Sequence, residues 1–214
     1  MNGFRLIADL LHLLSYLLLL LKIYTSRSAA GISQKTQFLY LLVFATRYLD
    51  LFVVFRSLYN SGMKIVFLAC SGYVTYKMQV PPLNATWDRE ADRFPILYLI
   101  VPAAVLSLLF HYDWSLFELL WTFSEYLEAG AILPQLLLLQ RTGEASTLTS
   151  HYIMALGAYR GFYIINWIYR FVVEGHFDPI SAISGIIQTG LYADFFYIYF
   201  KKVVQGGQRF QLPA

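Results

Sequence analysis

Seven stretches of mostly apolar residues, at 3–21, 37–55, 63–79, 96–112, 116–139, 149–172 and 179–200, follow one another with short polar connections. A run of about 20 such residues is the length that crosses a bilayer as a helix. Only 14% of the residues are charged and 58% are hydrophobic, whereas a soluble domain carries about 25% charged residues. The sequence therefore reads as an all-α membrane protein, with a seven-helix transmembrane domain over residues 1–200 and a tail over 201–214. Arg5 and Asp9 interrupt the first run and no small-residue cleavage site follows it, so it is expected to stay as a span. Cys70 is the single cysteine, which rules out an intrachain disulfide.

Lysine and arginine set the orientation. Lys22, Arg27, Lys35, Lys77, Arg89, Arg93, Arg141, Lys201, Lys202 and Arg209 fall on one side, against Arg56 and Lys64 on the other. The N-terminus is thus expected in the lumen or outside and the C-terminus in the cytosol. The sequon Asn84-Ala85-Thr86 then lies on the cytosolic side and is expected to be unmodified.

The spans themselves carry arginines (Arg5, Arg47, Arg160, Arg170), acids (Asp9, Asp50, Glu118, Glu125, Glu128, Asp194) and His12. A charge at bilayer depth costs about 2.5–3.5 kcal/mol on insertion scales, so this set implies a polar, water-filled cavity with paired charges. The stretch from Glu118 to Glu128 is central, because Glu118, Trp121, Glu125 and Glu128 fall near one another on one helical face. Arg5, Asp9 and His12 share a face of the first span. Span two supplies Arg47, Tyr48 and Asp50. Tyr159, Tyr163, Asn166, Trp167 and Arg170 form a polar-aromatic stripe on the sixth. Any single one of these residues could be a structural pair, for example Asp50 with Arg170. As a set used only for packing they would be needlessly costly, since a buried ion pair rarely gains stability over an apolar replacement.

Arginines facing one cavity suit carboxylates, which they bind in a bidentate fork. Glu118 and Asp50 beside Trp121 suit a cation, through charge and cation–π contact. An acidic peptide end with one Lys or His has this description, and so does a zwitterionic metabolite. His12 has an ordinary pKa near 6.5 and can change charge between neutral and mildly acidic compartments. Glu128 is a second candidate proton carrier. No His/Cys cluster is present, and neither metal, cofactor, nucleic-acid partner nor enzymatic activity is expected.

A weak internal repeat relates Ala45-Thr46-Arg47-Tyr48 to Ala158-Tyr159-Arg160-Gly161, with Ser33 and Ser146 equally far ahead of the two arginines. Spans one to three and five to seven would then be two parallel three-helix repeats joined by helix four, as in SWEET-type transporters. Leu133-Pro134-Gln135 adds a Pro-Gln pair of the PQ-loop kind.

Longer runs carry a more specific likeness. They include Ala30-Gly31-Ile32-Ser33, Thr46-Arg47-Tyr48-Leu49-Asp50-Leu51-Phe52, Leu120-Trp121-Thr122-Phe123-Ser124, Ala131-Ile132-Leu133-Pro134-Gln135, Arg141-Thr142-Gly143-Glu144-Ala145, Asn166-Trp167-Ile168 and Asp194-Phe195-Phe196-Tyr197. With these, nearly the whole chain resembles the KDEL receptors, the ER lumen protein-retaining receptors. The resemblance implies a SWEET-like fold that carries no sugar and instead captures C-terminal retrieval tetrapeptides of the KDEL or HDEL type. Capture is implied in the acidic Golgi and release in the neutral ER. By the same resemblance Arg47 and Tyr48 hold the peptide's terminal carboxylate, and Arg5 and Arg170 meet its acidic side chains. Asp50, Glu118 and Trp121 surround its first, basic residue, and Tyr163, Asn166 and Trp167 line the cavity. His12 resembles the family's pH sensor, coupled to a Glu128–Tyr159 hydrogen bond. Arg160 and Asp194 match positions tied to trafficking or helix coupling. The family's tail recruits coatomer through closely spaced distal lysines. Here only Arg209 remains distally, which leaves that role to Lys201 and Lys202. Val54 and Arg56 also depart from the family near the ligand's basic residue.

A SWEET-like solute transporter is the nearest alternative, and arginines and acids at membrane depth argue against a neutral sugar. A rhodopsin-like receptor lacks a Schiff-base lysine in its last span. An aspartyl protease built on Asp50 and Asp194 lacks the flanking motifs of that class.

Overall fold

The computed structural model describes residues 2–200 and the pair Phe210–Gln211. Among these residues the fold is all-helical apart from one short antiparallel backbone pairing, Glu144–Ala145 with Phe210–Gln211. Lys201 and Lys202 lie outside the described residues.

Helix α1, Gly3–Ser26, starts where the Asn2 side chain accepts from the Arg5 amide at 2.9 Å. That satisfies one of the amides a helix start leaves open. Arg27 ends the helix in a left-handed conformation at φ 50°. At 1.5 Å per residue α1 is about 36 Å long, and it is the one described helix long and apolar enough to cross a membrane by length and composition alone. Ser33 caps α2, Gln34–Arg47, and Ser57 caps α3, Leu58–Gln79. A short α4, Leu83–Thr86, precedes α5, Leu97–Leu109. Ser115 caps α6, Leu116–Gly130, which is followed by α7, Leu133–Thr142. Ser146 caps α8, Thr147–Glu174, and Asp178 caps α9, Pro179–Leu191, with α10, Ala193–Tyr199, beyond it.

Three expected spans are interrupted rather than continuous. The second, 37–55, is α-helical only to Arg47. It tightens into a 3-10 turn over Tyr48–Phe52 and runs irregularly to Ser57. The Asp50 carbonyl accepts from both Val53, at 3.1 Å, and Val54, at 2.8 Å, which draws the chain off the helix axis. The fifth breaks at Ala131–Ile132, where Pro134 has no amide to continue the ladder and the Ala131 amide turns back to Glu128 at 3.2 Å. The seventh breaks at Tyr192, whose amide reaches Thr189 at 3.1 Å.

The most extensive packing is α1 against α8. Helix α2 lies on α3 and α6, and α6 in turn lies on α5 and α9. Polarity is inverted relative to a water-soluble protein. On α1, Leu10, Leu14, Leu17 and Leu21 share the outward face, while Asp9, His12, Ser15 and Lys22 are buried. On α9, Ile183, Ile186 and Ile187 point outward and Gln188 is buried.

One end of the bundle is pinned by neutral contacts and one buried acid. Gln135 accepts from the Ser33 amide at 2.8 Å, donates to the Gly31 carbonyl at 2.9 Å, and gives its own amide to Thr36 Oγ1 at 3.0 Å. Asp92 accepts from Ser33 Oγ at 2.8 Å and from Trp87 Nε1 at 3.0 Å. The Pro-Gln break thus locks the start of α2.

Close approach of α10 to α8 depends on Gly157, where a Cβ would sit 2.5 Å from Phe196 Cζ and 2.8 Å from Tyr192 Cδ1. Gly157→Ala is expected to destabilise the fold by about 1–3 kcal/mol, the usual range for overpacking. Thermal unfolding in detergent checks this, and an unchanged midpoint would show that the two rings move aside freely.

Candidate functional site

The polar faces of α1, α2, α3, α6 and α8 converge on one cavity of about 1090 Å³. Its lining includes residues within Arg5 to His12, Phe44 to Asp50, Ser57 to Phe67, Ser115 to Glu128 and Tyr159 to Arg170. The rim is exposed at Arg56, Tyr112, Asp113, His176 and Phe177. The floor is buried at His12, Glu125, Glu128, Tyr159 and Arg160.

Glu128 organises the floor. Its Oε2 contacts Arg47 Nη1 from α2 and lies 2.6 Å from Arg160 Nη2 from α8. Its Oε1 accepts from Tyr159 OH. The two arginines stand at the same place in their helices, each fourteen residues after the serine that caps it, Ser33 or Ser146. Arg47 Nε donates to Ser124 Oγ at 3.0 Å, and its Nη2 lies 3.1 Å from Glu125 Oε1. Arg160 Nε donates to Gln188 Oε1 at 2.5 Å, and its guanidinium lies over the rings of Tyr159, Tyr163 and Trp167. Two arginines therefore face two glutamates, and the formal charge of this quartet is zero.

His12 lies flat on Tyr159, with centroids 4.1 Å apart and planes 3° from parallel. Phe67, Phe44 and Tyr16 complete its surroundings, and its Nε2 has no hydrogen-bond partner. Glu128, Arg160 and Arg47 are the charges that act on it. A proton on His12 would thus be felt across the Tyr159 ring by the carboxylate that ring's hydroxyl already holds.

Nearer the rim, pairings are looser. Arg5 Nε is 4.0 Å from Asp9, whose other contacts are Tyr59 OH at 2.8 Å and Tyr163 OH at 2.5 Å. Arg170 Nε donates to Glu174 at 2.8 Å. Both arginines are partly exposed, which leaves donors free to meet a ligand. Glu118 accepts from Thr122 at 3.1 Å, and Trp121 faces Tyr112 with centroids 6.4 Å apart. Tyr112 OH donates to Asp178 at 2.7 Å.

The structure brings together Arg5, His12, Arg47, Tyr48, Asp50, Glu118, Trp121, Glu128, Tyr159, Arg160, Tyr163, Trp167 and Arg170. It does not bring in Asn166. That side chain is buried and accepts from Asn2 at 2.7 Å, so it ties α8 to the start of α1 rather than lining the cavity. Asp194 is also apart, exposed on α10 past the Tyr192 break. Asp50 does not pair with Arg170. Lys64 Nζ holds both its oxygens, at 2.6 and 2.8 Å, and lies over the Tyr48 ring. Lys64, Gln188 and Tyr59 are contributors to which sequence reasoning gave no site role, and Glu125 entered only as one of the acids at membrane depth. Lys64 entered only as a charge at a span end, although its place beyond the turn after Asp50 was a usable signal.

A family model described as ER lumen protein retaining receptor matches residues 28–170. The chain is 56% identical over 213 residues to ER lumen protein-retaining receptor erd-2.2 of Caenorhabditis elegans. It is 53% identical over 214 residues to the ER lumen protein-retaining receptor of Drosophila melanogaster and to ER lumen protein-retaining receptor 2 of Homo sapiens. In each comparison all of both chains is covered. Identity at this level over full length shows common descent, and the chain belongs to the ER lumen protein retaining receptor family.

Proposed function

We propose that this chain is a retrieval receptor that takes the C-terminal KDEL- or HDEL-type signal of lumenal ER proteins into its cavity at the acidic pH of the Golgi and gives it up at the neutral pH of the ER. The observation that carries this is the arginine ladder in one cavity, with Arg5 and Arg170 near the rim and Arg47 at the floor. It suits a ligand with acidic side chains and a terminal carboxylate. The names of the relatives, which describe retention of ER lumen proteins, point the same way.

On this reading Arg47, with Tyr48, meets the terminal carboxylate, and Arg5 and Arg170 meet the acidic side chains. Asp50, Glu118 and Trp121 receive the first, basic residue, for which Lys64 is the internal occupant of Asp50. Tyr163 and Trp167 form wall. The floor quartet begins neutral, so an arriving carboxylate adds one negative charge in a water-poor place. A proton on His12 offsets that charge. By linkage, a peptide that prefers the protonated receptor raises proton affinity by the same factor.

The apolar outward faces of α1 and α9 support embedding in a bilayer, with seven crossings made by α1, α2 with its turn, α3, α5, α6 with α7, α8, and α9 with α10. The matched Ser–Arg positions support two parallel three-helix repeats joined by α5. With the basic residues cytosolic, the N-terminus and the cavity mouth face the lumen of Golgi, ER and transport vesicles. The domain then spans 1–200, and the cytosolic tail, 201–214, meets coatomer through Lys201 and Lys202. Arg160 and Asp194 serve coupling and trafficking.

A labelled peptide ending in Lys-Asp-Glu-Leu is expected to bind the purified protein tightly at pH about 5.5 and weakly at about 7.4, values that bracket the histidine range. Amidation of its C-terminus is expected to weaken binding at least about a hundredfold, and His12→Ala to flatten the pH dependence. Equal steepness in the variant would remove His12 from the mechanism. No binding at either pH would overturn the retrieval reading and favour solute transport, which uptake into proteoliposomes measures.

A further inference from the structure

Arg47 has two carboxylate partners in this structure, and they are held very differently. Glu128 is fixed by Arg47, Arg160 and Tyr159. Glu125 is fixed by one contact. Its Oε1 lies 3.1 Å from Arg47 Nη2, off hydrogen-bond alignment, and its Oε2 is buried without a hydrogen-bond partner. The glutamate side chain itself is 7% exposed and lines the cavity. A buried carboxylate oxygen left without a donor is costly, so this glutamate is the weak member of the floor.

We propose that Glu125 is an internal competitor for Arg47, which the ligand's terminal carboxylate displaces, and that Glu125 takes up a proton when it is displaced. The inference rests on the retrieval reading of the cavity and names the group inside the protein that a bound chain end replaces.

The charge balance leads there. The groups facing Glu125 are Arg47 from α2, Arg160 from α8, Glu128 one turn along its own helix, and Asp178 at the cap of α9. Helix α5 brings no charged side chain, and Asp50 in the 3-10 turn is already held by Lys64. Tyr48, Tyr159 and His12 add no further fixed charge at neutral pH. Two cations thus balance Glu125 and Glu128 before a ligand arrives. A ligand carboxylate on Arg47 leaves three anions against two arginines, with Asp178 adding to the excess. Of the three, Glu128 has aligned donors in Arg47 Nη1 and Tyr159 OH, and Glu125 loses the one cationic contact it had. Where His12 carries no proton to offset the ligand's charge, proton uptake at Glu125 restores the balance and gives Oε2 a proton that can be donated. Like-charged carboxylates sharing a site disfavour each other's ionisation, and Glu125 is the one free to yield. It acts through Arg47 and is a specificity-determining and positioning residue for carboxylate binding.

The test uses the full-length protein in detergent, the Lys-Asp-Glu-Leu peptide and its amidated form. Glu125→Gln keeps the shape and removes the competing charge. It is expected to tighten peptide binding at pH about 7.4 by about tenfold or more and to change binding at about 5.5 by less than about threefold. Calorimetry in buffers of different ionisation enthalpy is expected to show proton uptake per bound peptide lower by about one proton than in wild type. The amidated peptide, which brings no terminal carboxylate, is expected to show no such gain. Glu125→Asp, which withdraws the charge while keeping it, is expected to fall between and covers the case in which Glu125→Gln folds poorly. Weaker binding of Glu125→Gln at both pH values would show that Glu125 orients Arg47 for the ligand and would overturn the proposal. So would unchanged proton uptake. Absence of binding by wild type as well would instead overturn the retrieval reading itself.

Discussion

Replacing Glu128 with Gln is expected to remove roughly 3–5 kcal/mol of stability, the range for deleting one partner of a buried ion pair. The carboxylate is 1% exposed, and two guanidinium groups from different helices meet on one of its oxygens. Glutamine preserves the volume but leaves Arg160 with no carboxylate nearer than Glu125, and it turns a second donor toward cations that need acceptors. Desolvated charge without a partner is the most expensive thing a small fold can hold. For a chain of this size the loss corresponds to a fall in unfolding midpoint of roughly 6–20 °C. Scanning calorimetry or fluorimetry in detergent reads it directly. Glu174→Ala, which removes the partly exposed partner of Arg170, is the comparison, and its effect is expected to stay below about 1 kcal/mol. Equal, small effects of the two changes would mean that the arginines find water or other acceptors when Glu128 is gone.

Arg47→Ala is expected to weaken binding of the free-acid peptide at least about a hundredfold, since cutting one member of a buried, hydrogen-bonded charge pair removes several kcal/mol of binding energy. The informative comparison is with the amidated peptide. If Arg47 meets the terminal carboxylate, amidation and Arg47→Ala each abolish the same contact, and applying both is expected to be no worse than either alone. Arg47→Lys keeps the charge but loses the planar fork that reaches Ser124, Glu128 and Glu125 together, and is expected to recover only part of the affinity. A free-acid and an amidated peptide that lose affinity in parallel would place the carboxylate elsewhere in the cavity.

The residues that line this cavity were legible because membrane depth makes charge costly. Arg5, Arg47, Glu118, Glu128 and Arg160 stood out against apolar neighbours before any geometry was known. Their partners were not legible. Nothing in the spacing says that Arg47 and Arg160, on different helices, share one oxygen of Glu128, because that contact is set by how α2, α6 and α8 pack. Asn166 fits the helical stripe of Tyr163 and Trp167 by sequence. A helix face is wide, however, and this residue sits at its edge, where Asn2 reaches it. The breaks after Arg47 and at Tyr192 were missed because hydropathy runs continuously across them. The turn after Arg47 is made by backbone carbonyls collecting amides, and hydropathy is blind to that.

The cavity has an exposed rim and a buried charged floor. Among the described residues, the exposed rim is the doorway to such a vestibule. A polypeptide presented to it can insert only a terminus, while whatever that terminus is attached to stays outside. Neither the size nor the shape of the attached body enters the recognition, so one pocket of this form can serve partners that share nothing except their last residues.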